Sequence, residues 1–334
     1  MKAKNLPLTL LLIIAMAWVI ITVAGNRDRN ATVGETSEPT DDIGPDETEN
    51  YHSDNGEMGD FPLFLSGSEL SPPPEAGNET DKKPVVLPTT IEGGLTIKND
   101  TSYTPDLTKI MGEKLLQALP SEGIQVLIIH THGSEAYMPD MANNYTPSDT
   151  FRTEDKKYSI IRVGDELTAC LESYGITVLH DREIYDYPSY TGCYARSAEA
   201  ISAHLKEHPE IAVVLDVHRD ALGDGDVVYK TVAEGSGQPS SQLMLLVGTG
   251  ENGLEHPKWI ENLKFALYLQ SAVVEKYPTL ARPIAVKKER YNQHMTTGSL
   301  ILEVGSNGNS LSEALCAVRL FADAIAPKLL ELVK

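Results

Sequence analysis

Cysteine and basic residues are scarce in this sequence of 334 residues, and aromatic residues make up only 6% of it. The three cysteines, Cys170, Cys193 and Cys316, are too few and too widely spaced for a disulfide framework or a thiolate zinc site. Any bound metal ion would therefore need imidazole and carboxylate ligands. The 28 Lys and Arg residues stand against 48 Asp and Glu residues, giving a net charge of −20. Because phosphates must be neutralised by basic side chains, this balance argues against a nucleic-acid-binding protein.

An uncharged apolar run occupies residues 6–25, behind Lys2 and Lys4. A helix of that length spans a hydrocarbon core of about 30 Å. The length favours a retained transmembrane anchor over a cleaved signal peptide, whose apolar region is usually about 7–15 residues, although the segment 23–25 could serve as a cleavage site. Lys and Arg are nearly balanced on the two sides. A short tail before a large body nevertheless predicts a single-pass membrane protein with its bulk outside the cytoplasm.

The next stretch is acidic and poor in apolar residues. Residues 26–100 contain 17 acidic and 5 basic side chains, and Pro, Gly, Ser, Thr and Asn fill most of the remainder. Such a segment cannot bury enough apolar surface to offset its ordering entropy. We therefore predict an anchor over residues 1–25, a disordered acidic spacer over 26–93 and a single catalytic domain over 94–334.

From about residue 94, apolar runs of strand length alternate with segments of helical periodicity. The predicted strands are 126–129, 176–179, 211–215, 243–248 and 299–304, and the predicted helices are 107–119, 160–174, 196–206, 259–276 and 311–332. This alternation predicts an α/β domain with a mostly parallel, twisted sheet flanked by helices.

Polar side chains collect where these strands end. His130 and His132 follow the first strand, His218 and Asp220 follow the third, and Glu303 lies in the last. In open α/β sheets, ligands bind at the carboxyl ends of the strands. Several imidazoles and a carboxylate without cysteine are typical of a catalytic zinc site that keeps one position open for water. Zinc lowers the pKa of that water to about 7, and a nearby carboxylate can transfer its proton to a leaving amine.

Other nucleophiles have weaker support. Ser134 does not lie in the G-x-S-x-G motif of serine hydrolases. Cys193 lies between Gly192 and Tyr194, and no neighbouring residue would activate its thiol. A serine or cysteine peptidase therefore ranks below a zinc hydrolase.

Eight ordered motifs carry a family resemblance, and they read VLIIHTHGSEAY, IIRVGDEL, VLHD, DYPSYTGCYARS, VVLDVHRDA, HPKWIENLKFA, YNQ and LILEVG. Over roughly residues 94–330 the chain resembles stage II sporulation protein P of endospore-forming bacteria. The resemblance implies a peptidoglycan hydrolase that cleaves the amide between N-acetylmuramic acid and L-alanine, with an associated endopeptidase activity, during engulfment of the forespore. It also implies a fold similar to zinc-dependent N-acetylmuramoyl-L-alanine amidases, a location in the mother-cell engulfing membrane, and two partners, stage II sporulation proteins D and M.

The resemblance also implies roles for individual residues. His132 and His218 match the first and third zinc ligands, and Glu303 matches the catalytic glutamate, although Val304 replaces the hydroxyl residue that usually follows it. Glu154 is the nearest candidate for the middle ligand, although its spacing to the next helix is off by a residue or two. His130 is a further ligand or a supporting residue. The family motif includes a glutamate at position 135 for which the sequence suggests no role.

Four residues are candidates for substrate binding, namely Arg219, Asp220, Tyr190 and Asn292. Tyr190 could stack on sugars, and an arginine at 219 or 196 could pair with carboxylates of the stem peptide. The alternatives are core packing for the tyrosine and a surface salt bridge for the arginine. At the level of function, the alternative is a non-catalytic module that binds cell wall or partner proteins.

Overall fold

The structure is a computed structural model that describes residues 84–86, 95–223, 227–234 and 237–334. The predicted transmembrane helix and almost all of the predicted spacer lie outside these residues. Within the described ranges, no helix is both long enough and apolar enough to cross a bilayer. The division of the chain at residues 25 and 93 stays a prediction.

Nine strands and five helices make up the described part of the chain. The strands are β1 (Val85–Val86), β2 (Ile97–Asn99), β3 (Val126–Ile129), β4 (Val178–His180), β5 (Val213–Asp220), β6 (Tyr229–Lys230), β7 (Leu243–Gly248), β8 (Ile284–Lys287) and β9 (Ser299–Ser306). The helices are α1 (Leu107–Gly112), α2 (Ile160–Ser173), α3 (Cys193–Glu207), α4 (Trp259–Lys276) and α5 (Leu311–Leu330).

Local sequence signals fix the ends of several helices. The hydroxyl of Ser159 accepts a hydrogen bond from the Ile161 N–H at the start of α2. At the other end of α2, Gly175 takes a positive φ of 85° and its N–H donates to the Glu172 carbonyl, as in a Schellman motif. The helix predicted over 107–119 is wrong in its second half, because α1 ends at Gly112.

Seven strands form one sheet in the order β2-β8-β7-β9-β5-β3-β4. Every neighbouring pair is parallel except β7 and β9, which are antiparallel. The predicted α/β class is therefore confirmed, and the sheet is mixed: two parallel groups run in opposite directions. Strands β1 and β6 form a separate two-stranded ladder.

Helices cover both faces of this sheet. On one face, α2, α4 and α5 pack against strand residues that include Val126, Ile128, Leu215, Leu245 and Leu302. On the other face, Ile201 of α3 packs against alternate strand residues, which include Leu127, Ile129 and Val214. This alternation follows from the two-residue period of a strand, and it leaves both faces buried.

The direction of the strands decides where polar residues meet. Strands β4, β3, β5 and β9 are parallel, so their carboxyl ends lie at one edge of the sheet. Strand β7 runs the other way, and its first residue Leu243 pairs with Val304 near the end of β9. The edge formed by the ends of β3, β5 and β9 is therefore the place for a site.

Candidate active site

Two histidines and a glutamate meet at the carboxyl edge of the sheet. The rings of His132 and His218 lie 5.2 Å apart, centroid to centroid, and are nearly perpendicular at 79°. His218 of β5 is the direct register partner of Glu303 in β9. Because directly paired residues of neighbouring strands point to the same face of a sheet, the imidazole of His218 and the carboxyl group of Glu303 lie on the same face.

Two carboxylates flank His218. Its Nδ1 atom lies 3.5 Å from Oε2 of Glu135, and its Nε2 atom lies 2.9 Å from Oδ1 of Asp216 without the alignment of a hydrogen bond. Asp216 is itself held by Thr131, whose N–H and hydroxyl both donate to it at 2.8 Å and 2.6 Å. Burial alone would lower the pKa of His218, but the carboxylates of Asp216 and Glu135 raise that pKa well above its ordinary value.

His132 has a different environment. Its Nδ1 atom is buried and has no hydrogen-bond partner, and the nearest acid, Oδ2 of Asp186, is 3.8 Å away. Burial lowers the pKa of His132 to about 4, so the imidazole is neutral at pH 7. The ring of Tyr190 stacks on that of His132 at 4.7 Å with an interplanar angle of 3°. A neutral imidazole with an unused nitrogen is the form that binds a metal ion.

Glu303 combines burial with acidic neighbours. Its Oε2 atom is buried and lacks a hydrogen-bond partner, although the residue as a whole keeps some exposure. Burial, followed by the negative charge of Asp220, raises the pKa of Glu303 to about 8. Asp220 in turn forms an ion pair of 2.6 Å with Arg282. A carboxyl group tuned toward neutral pH in this way is suited to proton transfer.

The arrangement partly fits a metal centre. In the described ranges, no three His, Cys, Asp or Glu side chains converge as a formed metal cluster. However, His132 and His218 each have a buried ring nitrogen without a hydrogen-bond partner. Glu135 is an acid whose influence reaches both histidines, since it lies 3.5 Å from His218 and its charge acts on His132. The donor set of two imidazoles and a carboxylate suits zinc.

Glu154, the predicted middle ligand, is exposed to solvent. It directly follows Thr153, whose N–H donates to the carbonyl of Ser134 at 2.8 Å. The backbone at 154 therefore lies close to the motif that contains His132. Its role as a ligand stays a prediction, and Glu135 is the stronger candidate by position.

His130 does not join this group. Its Nδ1 atom lies 2.8 Å from the carbonyl oxygen of Val217, and its Nε2 atom lies 2.9 Å from Nε2 of His180. Because β3 ends at Ile129, the two-residue alternation of a strand no longer applies, and His130 and His132 point to different neighbours. Both ring nitrogens of His130 are thus occupied, and the structure places this histidine in a buried pair with His180.

The predicted substrate residues have diverse environments. Arg219 is buried, and its guanidinium donates to the backbone carbonyls of Ala136 at 2.9 Å and Phe151 at 3.1 Å. Asn292 donates to the Tyr194 carbonyl and the Ser197 hydroxyl, both at 3.0 Å. These contacts give both residues structural roles, because their donors are used within the protein.

Tyr190 differs, since it combines contact with the site and exposure to solvent. About half of its surface is exposed, as is that of Tyr187 three residues earlier. The loop is held by Arg196, whose guanidinium donates to the backbone carbonyls of Tyr185, Ser189 and Thr191. Tyr190 is thus an exposed aromatic ring on a fixed loop beside His132, a suitable surface for a sugar ring.

The structure offers little support for a serine or cysteine nucleophile. The Ser134 hydroxyl donates to Oδ2 of Asp186 at 2.7 Å and accepts from Arg152, and no histidine is among these partners. Cys193 is buried, and burial raises the pKa of its thiol to about 11. Neither side chain has the activating base that such catalysis needs.

Several residues of the site were missed by sequence reasoning. Glu135 carried a signal, because it follows His132 by three residues within the HTHGSE motif. Asp216 lies within the VVLDVHRDA motif, but the sequence suggests no role for it. Asp186 opens the DYPSYTGCYARS motif, but nothing in the sequence links it to the histidines, and Arg152 lies in no quoted motif.

Comparisons with known proteins place the chain in a family. The family description "Stage II sporulation protein P" matches residues 32–326. The chain is similar to stage II sporulation protein P of Bacillus subtilis strain 168, with 27% identity over 212 residues, covering 60% of this chain and 50% of that protein. The chain thus spans about half the length of the curated relative that it matches.

Solved structures of amidases also show similarity. The CwlD amidase from Clostridioides difficile, solved in complex with the GerS lipoprotein, has a TM-score of 0.38 at 11% identity, covering 62% of this chain and 98% of that one. The N-acetylmuramoyl-L-alanine amidase AmiC2 of Nostoc punctiforme has a TM-score of 0.34 at 13% identity, covering 63% and 98%. The family match extends over far more than half of the sequence, and the chain belongs to the stage II sporulation protein P family.

Proposed function

We propose that this protein is a membrane-anchored, zinc-dependent peptidoglycan hydrolase that cleaves the amide between N-acetylmuramic acid and L-alanine during engulfment. The observation that carries the proposal is the meeting of His132, His218 and Glu303 at one edge of the sheet. Family membership supports a role in sporulation. The anchor, the extracytoplasmic location in the engulfing membrane, and an additional endopeptidase activity are parts of the same proposal.

The metal ion would be held by His132 and His218, with Glu135 or Glu154 as the carboxylate ligand. Zinc, when bound, acts as a Lewis acid that activates water and polarises the scissile carbonyl group. Asp216 and Glu135 flank His218, and the stacked ring of Tyr190 fixes the plane of His132. These contacts hold the two imidazoles in place before any ligand arrives.

Glu303 moves the proton. Its carboxyl group stands beside His218 in register, within an enclosed space that raises its pKa to about 8. It can accept a proton from the attacking water and deliver it to the nitrogen of the leaving L-alanine. The proton reaches the amine as the bond between carbonyl carbon and nitrogen breaks, so the products are a free carboxylate and a free amino terminus.

The test is digestion of purified sacculi by the full-length protein. We expect muropeptides with new L-alanine amino termini, detected by mass spectrometry, from the natural protein and from the control variant Glu122→Gln at an exposed position. Glu303→Gln should reduce the rate by at least about 100-fold, as is usual for loss of a general acid–base group. A chelator should abolish product, and added zinc should restore it. Product formation that is insensitive to chelator would contradict the proposal.

The alternative is a non-catalytic module that binds cell wall or partner proteins, with the polar residues at the strand ends as its recognition groove. In that case sacculus binding would survive the double replacement of His218 and Glu303 by Ala, and neither protein would release product. Binding to stage II sporulation proteins D and M stays a prediction from the family resemblance, and pull-down of the purified proteins would test it.

A further inference from the structure

We propose that Arg152 is a positioning residue that holds the two imidazoles of the site ready for the metal ion. The proposal rests on the proposed function, because it concerns the same metal centre. Arg152 lies in a loop, belongs to no strand or helix, and has a partly buried side chain with 20% of its surface exposed.

Its guanidinium contacts four side chains of the site. Nη1 donates to the Ser134 hydroxyl at 2.9 Å and forms a short contact with Oδ2 of Asp186. Nη2 lies 3.9 Å from Oε1 of Glu135. The guanidinium carbon lies 5.1 Å from the ring centre of Tyr190, within cation–π distance.

Three of these four partners lie beside a histidine. Asp186 is the acid next to Nδ1 of His132, and Tyr190 stacks on the same ring. Glu135 is the acid next to Nδ1 of His218. Only one side chain therefore separates the guanidinium from each imidazole. The guanidinium also contacts both groups that orient His132, Asp186 and Tyr190.

The charges make this role specific. Asp186 and Glu135 are both buried, and an unpaired buried carboxylate is costly. Glu135 has a second cation nearby, because Arg219 lies 3.9 Å from its Oε1 atom. Among the described residues, Arg152 is the only arginine or lysine paired with Asp186. Loss of Arg152 would leave the Asp186 carboxylate unpaired beside Nδ1 of His132, so both side chains would lose their fixed positions.

The backbone is arranged to deliver this side chain. Phe151 is fully buried and has a φ of 51°, a strained conformation for a bulky residue. Its carbonyl is held by the Ala136 N–H at 2.9 Å and by Arg219. On the other side, the Thr153 N–H donates to the Ser134 carbonyl. A strained residue that is fixed on both flanks is typical of a functional position.

The experiment measures zinc affinity of the full-length protein by competition with a chromogenic chelator. We expect Arg152→Ala to bind zinc about 10–100-fold more weakly, the usual effect of losing support behind a metal ligand. Because the side chain is partly exposed, millimolar methylguanidinium should enter the space and restore affinity. Arg182→Ala removes a half-exposed arginine that pairs with Asp165 and should bind zinc normally.

Activity on sacculi supplies a second reading. With saturating zinc, Arg152→Ala should regain nearly the natural rate with an unchanged KM, whereas a substrate-binding arginine would raise KM. If Arg152→Ala fails to fold, Arg152→Lys should fold, since it keeps the charge, and should still bind zinc more weakly because it loses the two-pronged geometry.

Three results would overturn the proposal. One is zinc affinity within twofold of the natural protein in both arginine variants. The second is weakened affinity that methylguanidinium does not restore, and the third is a raised KM at saturating zinc. Failure of the natural protein to release product from sacculi would instead count against the proposed function, so the two failures are distinguishable.

Discussion

Replacing Glu303 by Gln should stabilise the metal-free protein at neutral pH, although it abolishes activity. Burial and the charge of Asp220 raise the pKa of Glu303 from 4.5 to about 8. Between these two values the folded protein binds more protons than the unfolded chain does. The free energy of unfolding therefore falls as the pH rises through this window, and the penalty is fully present above pH 8.

The size of the effect follows from the shift. Each pKa unit corresponds to about 1.4 kcal/mol, and pH 7 lies about 2.5 units above the ordinary value, so the upper bound is about 3 kcal/mol. The residue keeps some contact with solvent, which screens its charge, and we therefore expect about 1–2 kcal/mol. The amide of Gln has the same shape and no charge, so it removes this penalty.

Urea unfolding in the presence of a chelator at pH 5, 6, 7 and 8 tests the prediction. The stability difference between Glu303→Gln and the natural protein should be small at pH 5 and should grow steadily toward pH 8. Glu122→Gln, at an exposed position, should show no such trend. A difference that is constant across this range, or that favours the natural protein at pH 8, would refute the reasoning.

Three further predictions concern packing, thiol chemistry and metal binding. A methyl group at Gly164 would lie 2.4 Å from Nε2 of His130, so Gly164→Ala should lower the free energy of unfolding by about 1–3 kcal/mol. The control Gly112→Ala places its methyl group where no atom lies within 4 Å, and it should change this free energy by less than about 1 kcal/mol. Urea titrations measure both values. Burial raises the pKa of Cys193 to about 11, so iodoacetamide at pH 8 should modify it only after unfolding, and rapid labelling of the folded protein would contradict the structure. The two carboxylates beside His218 overcome burial and raise its pKa, so zinc must displace a proton and its affinity should increase from pH 6 to pH 8. Equal affinity across that range in chelator competition would count against this reading.

The sequence predicted the central strands and long helices because their apolar patterns are unambiguous. Helix α4 runs over Trp259–Lys276, as predicted, and all four residues of β3 are buried. Strand β8 was missed, because only three apolar residues, Ile284–Val286, precede the charged stretch 287–290. The strand predicted over 211–215 runs over Val213–Asp220 in the structure. The prediction ended it too early because polar residues after 215 are typical of a loop, whereas here they are buried in the site.

The site was predictable only where its residues lie at strand ends. His132, His218 and Glu303 meet because β3, β5 and β9 are neighbours, and parallel strands bring their ends to one edge. Spacing alone did not show that His130 turns away toward His180, because that depends on where β3 stops. Arg152 could not be foreseen, since its direction depends on the backbone of a buried loop residue.

Because β7 runs antiparallel to β9, the two edges of the sheet differ in how well they should tolerate changes of loop length. The carboxyl ends of β7 and β8 open onto the side opposite the histidines, where the glycine-rich turn 248–253 begins. Insertions in the turn 248–253 would lengthen a loop at the edge of the sheet opposite to the reacting groups. A tag, a label or an additional binding element could therefore be inserted in this turn without disturbing the reaction at the opposite edge of the sheet.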